Sequence, residues 1–374
     1  MADRIPGVSG SSVCYHGAMD IARPALEEWF NQPREDLPHD LGGTMVPADA
    51  ERMGHFLTDW DVRYAPTTGS ADCRGLIASS DRLEPDDLVL TCGATEAGVA
   101  ALLAAVRPGS AAVLQDPLYY LFEPWLATLG VAIRRWRAAP DGTWQNADIE
   151  GLLDPSVSVV VVNSPHNPTG RTLAIAELAE VVFDRSQAVL IVDEVYRGVT
   201  DDGPGCAARM GPRVLAVSSA SKRWGLPGLR LGWVACTDPD LGRRVLAWHE
   251  HLSNSAPRPS ETALVALWPE LERETEVSRA IAARNAAIVA RWLAHNQDRF
   301  SGSLPDAGVT MLLAPRGGLD DVQFAIAVRR SGVFVIPGST LGYPGQIRIG
   351  FGHRDPGRLE AALEALAVPV AIPA

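Results

Sequence analysis

Short apolar runs alternate with helix-length segments along the middle of the chain, and this alternation constrains the fold more than any other feature. Runs rich in Val, Leu and Ala predict strands at 87–91, 111–115, 131–136, 157–162, 188–192, 213–218 and 230–236. Intervening segments of helical periodicity predict helices at 94–106, 118–129, 174–185 and 240–252. Strands that are apolar almost throughout are buried on both faces. The pattern therefore predicts an α/β fold, with a mostly parallel central sheet flanked by helices.

The rest of the chain predicts a second, smaller α+β lobe. A long Ala-, Arg- and Glu-rich helix is expected at about 270–296, directly after Pro269. The segments after it predict short strands and helices, at 308–313, 320–330, 333–336, 346–351 and 356–367. A length of 374 residues suits one large and one small domain. The expected division is an N-terminal segment at 1–45 (a covering arm and part of the small lobe), a large domain at 46–269, and a bridging helix with a small C-terminal domain at 270–374.

Charge and composition exclude several classes of partner. The net charge is −12, which disfavours nonspecific attraction to nucleic acid or to an anionic membrane. No apolar run is long enough to span a bilayer, and the first residues lack the basic flank and apolar core of a signal peptide. The five cysteines are far apart and form no CxxC pair, so neither a disulfide framework nor a zinc ribbon is expected. We therefore expect a cytoplasmic protein without a metal site, whose partner is a small molecule.

The chain has 33 basic side chains, and a single one of them, Lys222, is a lysine. Arginine stays protonated and cannot act as a nucleophilic amine, whereas a lysine can do so once burial or nearby cations lower its pKa. One explanation is a genome that favours arginine, with one lysine left on a solvated face. The other explanation, that this position needs a reactive amine, makes Lys222 a candidate nucleophile.

Polar turns follow four of the predicted strands. They are TCGATEA (91–97), NSPHNPTG (163–170), DEVY (193–196) and SSASK (218–222). In a doubly wound sheet, ligands bind beyond the carboxyl ends of the strands. Small residues that open a helix, as in the first of these turns, leave backbone N–H groups and the helix dipole available to a phosphate. We expect the four turns to form one site.

Three other kinds of site do not fit these residues. A P-loop needs Gly-Lys followed by Ser or Thr, whereas the only lysine follows Ser221. A nicotinamide fold would place GxGxxG near the first strand, and the sequence has none there. A zinc hydrolase would have HExxH, but the histidines of the run 249–251 are too closely spaced. What remains is a phosphate-binding turn with hydroxyls, an arginine, a lysine, an aspartate, a tyrosine and an asparagine, the set that pyridoxal phosphate uses.

Together, the motifs TCGATEA, NSPHNPTG, DEVY, SSASKRWGLPGLRLGW and RIGFG resemble those of the class I/II aminotransferases, which are fold-type-I pyridoxal-phosphate enzymes. The motifs extend from about residue 38 to 352. By this resemblance Lys222 would bind the cofactor covalently, Asp193 would pair with its ring nitrogen, and both would be catalytic together with Tyr196. The resemblance assigns the other contacts with the ring, its phenolic oxygen and the phosphate to Tyr119, Asn167, Tyr196, Ala94, Thr95, Ser219, Ser221 and Arg230.

The same resemblance assigns residues to the substrate and to a second subunit. Arg348 would bind the α-carboxylate of an amino acid, because a guanidinium fork suits a planar anion. Asn167 and Gly42 are the other candidates for substrate contact. Tyr64 would reach the cofactor's phosphate in the neighbouring subunit, which implies a homodimer with shared active sites.

Several reactions at the α-carbon of an amino acid fit these residues. Transamination is the expected reaction, with the Lys222 amine as base and acid. The alternative is elimination, replacement or cyclisation at a β or γ substituent, because the chain also resembles the capreomycidine synthases, cyclising enzymes of specialised metabolism, in its loops and in the turn at 315–318. Both outcomes occur on one fold, so fold cannot decide between them. A non-catalytic sensor is a third hypothesis, but such regulators need a DNA-binding module, and the chain shows no basic N-terminal region for one.

Overall fold

The structure of the chain is a computed structural model that describes residues 24–30, 32, 37–54, 61–139, 142–200 and 205–368. Most of the segment 1–35, for which the sequence predicts a covering arm, lies outside these described residues. Within them, no helix combines the length and the apolar character needed to cross a membrane.

The described residues form strands and helices that follow the predicted order closely. The strands are β1 (His39–Asp40), β2 (Leu88–Thr91), β3 (Ala111–Asp116), β4 (Ala132–Arg137), β5 (Val157–Asn163), β6 (Val189–Asp193), β7 (Val214–Ser219), β8 (Gly232–Ala235), β9 (Phe300–Gly302), β10 (Thr310–Pro315), β11 (Val333–Phe334), β12 (Ile336–Pro337) and β13 (Ile347–Gly350). The helices are α1 (Ala25–Phe30), α2 (Ala50–Gly54), α3 (Ala71–Asp81), α4 (Gly93–Ala105), α5 (Phe122–Thr128), α6 (Asn146–Glu150), α7 (Ile175–Arg185), α8 (Ala220–Arg223), α9 (Pro239–Leu252), α10 (Arg258–His295), α11 (Asp321–Arg330) and α12 (Pro356–Leu366).

A seven-stranded sheet in the order β2-β8-β7-β6-β5-β3-β4 forms the centre of the larger part. Its strands are parallel except for β8, which runs antiparallel to both neighbours. Successive residues of β5 point to opposite faces, so Val160 and Val162 pack into one apolar cluster and Val159 and Val161 into another. Both faces are therefore covered, which confirms the predicted α/β fold.

A second, antiparallel sheet in the order β12-β13-β10-β9 belongs to the smaller part, together with α11 and α12. A separate parallel pair joins β1 to β11, with His39 opposite Val333 and Asp40 opposite Phe334. This pairing attaches the early part of the chain to the smaller lobe. The chain that follows β1 then reaches the turn after α8, where the backbone N–H of Ala48 donates to the Gly225 carbonyl oxygen at 3.1 Å.

The long helix α10 differs from its prediction at one end. It begins at Arg258 rather than near residue 270, and it contains Pro269. A proline inside a helix removes a hydrogen bond and costs about 3 kcal/mol. Leu264, Leu267 and Leu271 on either side of it are buried in the main core, and their burial offsets that cost. The predicted boundary at 269/270 therefore falls within one continuous helix.

A buried network of ion pairs positions α8. Asp81, the last residue of α3, accepts a hydrogen bond from Arg223 at 2.7 Å and pairs with Arg197 at 2.8 Å. Arg197 is also paired with Glu194, directly after β6, at 2.8 Å. Because Arg223 follows Lys222, these contacts fix the turn that carries the lysine.

We expect Asp81→Ala to lower the free energy of unfolding by about 3–5 kcal/mol, because it leaves the buried guanidinium of Arg223 without a carboxylate and removes one of the two carboxylates that pair with Arg197. Urea titration of the cofactor-loaded protein, followed by circular dichroism, measures this change. Asp240→Ala is the matched control: its pairing with Arg243 is exposed, so its removal should shift the urea midpoint little. Equal midpoint shifts in the two variants would contradict a structural role for the network.

Candidate active site

A cavity of about 280 Å³ lies at the carboxyl ends of β5, β6 and β7. It brings together eleven of the thirteen residues that the sequence predicts for the site: Ala94, Thr95, Tyr119, Asn167, Asp193, Tyr196, Ser219, Ser221, Lys222, Arg230 and Arg348. Asn163, which begins the NSPHNPTG turn, also lines the cavity but was not predicted. The remaining two, Gly42 and Tyr64, lie outside its lining.

Strand register aligns the amide and carboxylate side chains at this edge. Asn163 ends β5 and lies opposite Asp193, the end of β6. Its side-chain amide donates to the Asp193 carbonyl oxygen at 2.8 Å, and its Oδ1 accepts from the backbone N–H of Asn167 at 2.7 Å. Asn163 thus fixes the position of Asn167, a role that sequence reasoning missed.

The carboxylate of Asp193 is buried and has few partners. Among the described residues, its only hydrogen bond comes from the backbone N–H of Val195, at 3.2 Å. Burial disfavours the charged form and raises the pKa of Asp193 to about 7. A cation in the cavity would satisfy this carboxylate and restore its charge.

Lys222 lies in the short helix α8, directly after β7. Its Nζ donates to the hydroxyl of Thr44 at 2.7 Å. Burial, with smaller contributions from the nearby Arg348 and Arg230 guanidinium groups, lowers the pKa of Lys222 to about 8. A neutral amine is therefore accessible near neutral pH, as a nucleophile or a base requires. Thr44 was not predicted, because it lies in a segment without a recognisable motif.

The start of α4 forms a cradle of the size and charge that a phosphate needs. Its first backbone N–H groups have no partner within the helix and point outward. A Cβ at Gly93 would lie 2.5 Å from the Arg230 guanidinium, and one at Gly232 would lie 2.4 Å from the Gly93 backbone. Only glycine permits this close approach, which holds the guanidinium beside the helix N-terminus. With the hydroxyls of Ser219 and Ser221, the cradle fits the phosphate of pyridoxal phosphate, and Asp193 fits its ring nitrogen.

Arg348 extends from β13 into the cavity and is 1% exposed. One terminal nitrogen donates to Asn167 Oδ1 at 3.0 Å and the other to the Gly42 carbonyl oxygen at 2.9 Å. Its Nε has no hydrogen-bond partner among the described residues. Gly42 therefore contacts the arginine through its backbone rather than lining the cavity. A Cβ at Gly42 would lie 2.7 Å from the ring of Phe334, so a side chain there would disturb this contact.

Three tyrosines that the sequence predicts occupy different surroundings. Tyr196 is buried in the cavity, and burial raises its pKa to about 12. Tyr119 donates through its hydroxyl to that of Tyr120 at 3.0 Å, and the two rings lie 4.3 Å apart. Tyr64 is 86% exposed and lines a separate depression with Asp61 and Arg258. A single chain therefore does not bring Tyr64 into its own cavity.

Helix α1 forms a wall of the cavity that the sequence did not predict. Leu26, Glu27 and Phe30 from this helix line it. The carboxylate of Glu27 accepts a hydrogen bond from the hydroxyl of Tyr120 at 2.7 Å. The only signals in the sequence were a short amphipathic run, ALEEWF, and two acidic residues at its start.

Comparisons with known proteins agree with this geometry. The family model "Aminotransferase class I and II" matches residues 47–366. Capreomycidine synthase of Streptomyces vinaceus is 32% identical, over 94% of this chain and 95% of its own length. A probable N-succinyldiaminopimelate aminotransferase, DapC, of Mycobacterium tuberculosis (strain CDC 1551 / Oshkosh) is 31% identical over 74% of each chain.

The solved structures give the same fold. The PLP-dependent cyclase OrfR superposes with a TM-score of 0.81 at 23% identity, over 96% of this chain and 98% of the other. The cradle, the buried carboxylate and the single lysine fit pyridoxal phosphate independently of these matches. The chain therefore belongs to the class I and II aminotransferase family and is an enzyme that uses pyridoxal phosphate as its cofactor.

Proposed function

We propose that this enzyme transfers the amino group of an amino acid, with Lys222 moving the proton at the α-carbon. One observation supports this most directly: the only lysine of the chain lies in one buried cavity with the carboxylate of Asp193 and the guanidinium of Arg348. A base, a partner for a cationic ring and a partner for a carboxylate are the groups that this reaction needs.

When bound, pyridoxal phosphate supplies an aldehyde that links to amines and a ring that withdraws electrons from the bonds to the α-carbon. Asp193 would pair with the ring nitrogen and keep it protonated, since no arginine, lysine or histidine among the described residues forms an ion pair with its carboxylate. Tyr196 and Asn167 would hold the phenolic oxygen, and Tyr119 would lie beside the ring. Lys222 would hold the aldehyde carbon until the substrate's amine takes its place.

The phosphate is held by the cradle at the start of α4. The residues that bind it are Ala94, Thr95, Ser219, Ser221 and Arg230. Backbone N–H groups and hydroxyls contribute hydrogen bonds, and the guanidinium adds a charge-assisted one. These groups would hold the cofactor independently of its bond to Lys222.

Arg348 orients the substrate by binding its α-carboxylate, for which the guanidinium has an unpartnered Nε. With the substrate so held, the neutral amine of Lys222 removes the proton from the α-carbon. The same group, now protonated, would return the proton at a different carbon. Water would then release the substrate as a keto acid, and a second keto acid would accept the amino group by the same steps in reverse. A lysine with a pKa near 8 serves both steps at neutral pH.

Cyclisation or elimination is a second candidate, favoured by the extent of one alignment. Capreomycidine synthase aligns with 94% of this chain. The 6% of the chain outside the alignment is fewer than 30 residues, so the alignment includes part of the segment 1–30. That alignment therefore reaches α1, which forms part of the cavity wall, whereas the family model begins at residue 47.

A panel of amino acids, added without any keto acid, separates the two candidates. Transamination releases one equivalent of keto acid per site and no ammonia, and then stops. Elimination releases ammonia continuously, and cyclisation yields its product without releasing keto acid or ammonia. Chromatography and an ammonia assay on the same samples measure all three.

We expect Lys222→Arg to lower turnover by about 10²–10⁴-fold, since an arginine cannot exchange the proton. The variant should still bind the cofactor noncovalently through the phosphate cradle. Borohydride reduction of the unmodified enzyme, followed by peptide mapping, should place the cofactor on Lys222. An adduct at the amino terminus, or retained turnover in the variant, would refute the assignment.

Asp193→Asn should slow loss of the α-proton by about a hundredfold or more, because an amide cannot keep the ring nitrogen charged. Exchange of the α-proton in D₂O, followed by NMR, measures this step directly. Cofactor affinity should fall much less, since the phosphate contacts remain. Asp193→Glu is the control that retains the charge and should recover part of the rate. Unchanged exchange in the asparagine variant would exclude this role.

We further propose that the enzyme is a homodimer in which each subunit contributes Tyr64 to the other's phosphate site. The exposure of this side chain in a single chain, at 86%, supports a role outside its own cavity. It lies beside Arg258, which begins α10, and Asp61 pairs with that arginine at 3.1 Å. The loop is therefore held in place while its tyrosine projects outward.

Mixing Lys222→Arg with Tyr64→Phe chains tests the shared site. A heterodimer places both changes in one site and leaves the other site unmodified. A phenol–phosphate bond contributes about 1.5–3 kcal/mol, so Tyr64→Phe should weaken cofactor binding about ten- to a hundredfold. At a cofactor concentration where the Tyr64→Phe parent is largely empty, the mixture should exceed the activity of both parents. No increase, despite subunit exchange proven by mass spectrometry, would mean that each chain builds its site alone.

A further inference from the structure

Glu27 is a carboxylate held firmly at the wall of the active-site cavity. Its neighbours on α1, Leu26 and Trp29, are buried in the apolar cluster of the smaller lobe. The indole N–H of Trp29 also donates to the Val335 carbonyl oxygen at 2.8 Å. The helix is thereby fixed in position, and the side chain of Glu27 lines the same cavity as Lys222.

The contacts of Glu27 leave its negative charge unpaired. Its carboxylate accepts one hydrogen bond, from the neutral hydroxyl of Tyr120. Within the described residues, Glu27 forms no ion pair with any arginine, lysine or histidine. The charge is close enough to Lys222 to favour the protonated form of the lysine, although burial has the larger effect on its pKa.

The other charged groups of the cavity already have assigned partners. In the proposed function, Arg230 pairs with the phosphate, Arg348 with the α-carboxylate, and Asp193 with the ring nitrogen. Lys222 loses its charge when it binds the aldehyde. Among the described residues that line the cavity, Glu27 is the one carboxylate that this scheme leaves without a cation. A partly buried carboxylate is costly unless a cation or several donors satisfy it.

We propose that Glu27 determines substrate specificity by binding a cationic side chain, an ammonium or a guanidinium, of the substrate amino acid. This inference rests on the proposed function, because it assumes that Arg348 takes the α-carboxylate. Leu26 and Phe30 lie beside Glu27 in the cavity wall and offer an apolar surface to the methylene groups of such a side chain. Tyr120 orients the carboxylate without neutralising it.

The test compares binding of matched amino acids that cannot react. The α-methyl derivatives of ornithine, lysine and arginine carry a cation, and α-methylnorvaline does not; none has an α-proton to lose. Titration of the cofactor-loaded enzyme, followed by cofactor absorbance and by calorimetry, gives each Kd. We expect at least one cationic derivative to bind about ten- to a hundredfold more tightly than α-methylnorvaline.

Two variants of the same helix locate the effect. Glu27→Gln keeps an oxygen that can accept from Tyr120 but removes the charge, so it should abolish the preference for the cationic derivatives over α-methylnorvaline. Glu28→Gln is the matched control, because Glu28 is the adjacent, exposed residue and does not line the cavity. It should retain the full preference.

The outcomes distinguish this inference from the proposed function. Equal binding of the cationic and neutral derivatives by the unmodified enzyme would overturn the role of Glu27 and leave the proposed function standing. A preference for the cationic derivatives that survives in Glu27→Gln would also overturn the role of Glu27. Absence of any absorbance change with all four derivatives would overturn both. Because the first comparison uses the unmodified enzyme, the test does not depend on the folding of a variant.

Discussion

Charge buried at the carboxyl edge of the central sheet is the constraint on which the rest of the site depends. Asp193, Lys222 and Arg348 are all removed from water, and desolvation alone disfavours the charged form of each. Their hydrogen-bond partners within the described residues are mostly neutral amides and hydroxyls, such as Asn167 and Thr44. In the proposed function, the charged partners of these groups come from the cofactor and the substrate.

The scaffold around these charges is rigid for identifiable reasons. Parallel register places Asn163 beside Asp193, and both faces of the strands are packed. The ion pairs of Asp81 connect α3, the residues after β6 and the turn that carries Lys222. Buried ion pairs contribute less to stability than their Coulomb attraction suggests, because desolvation opposes it. Their value here is geometric, since they fix where the reactive amine lies.

Much of the fold and most of the site could be predicted from the sequence, because both depend on local patterns. Continuous apolar runs identified the strands of the large sheet, and the rule that ligands bind at strand ends identified Lys222 and Asp193. The parts that escaped prediction depend on long-range packing. Thr44 and Glu27 lie in segments without a recognisable motif and reach the cavity because β1 pairs with β11 and α1 packs on the smaller lobe. The predicted start of α10, near residue 270, was wrong because Pro269 is a local helix-breaking signal. Burial of the leucines around this proline overcomes that signal, and the helix begins at Arg258.

The contact between Arg348 and Gly42 joins residues that are 306 positions apart. The residues of the proposed phosphate cradle within one chain, by contrast, have all been made once residue 232 has been added, since Gly93, Arg230 and Gly232 precede the long helix. On the ribosome, the elements proposed to hold the cofactor are therefore synthesised well before the strand that carries Arg348, the residue proposed to orient an amino acid.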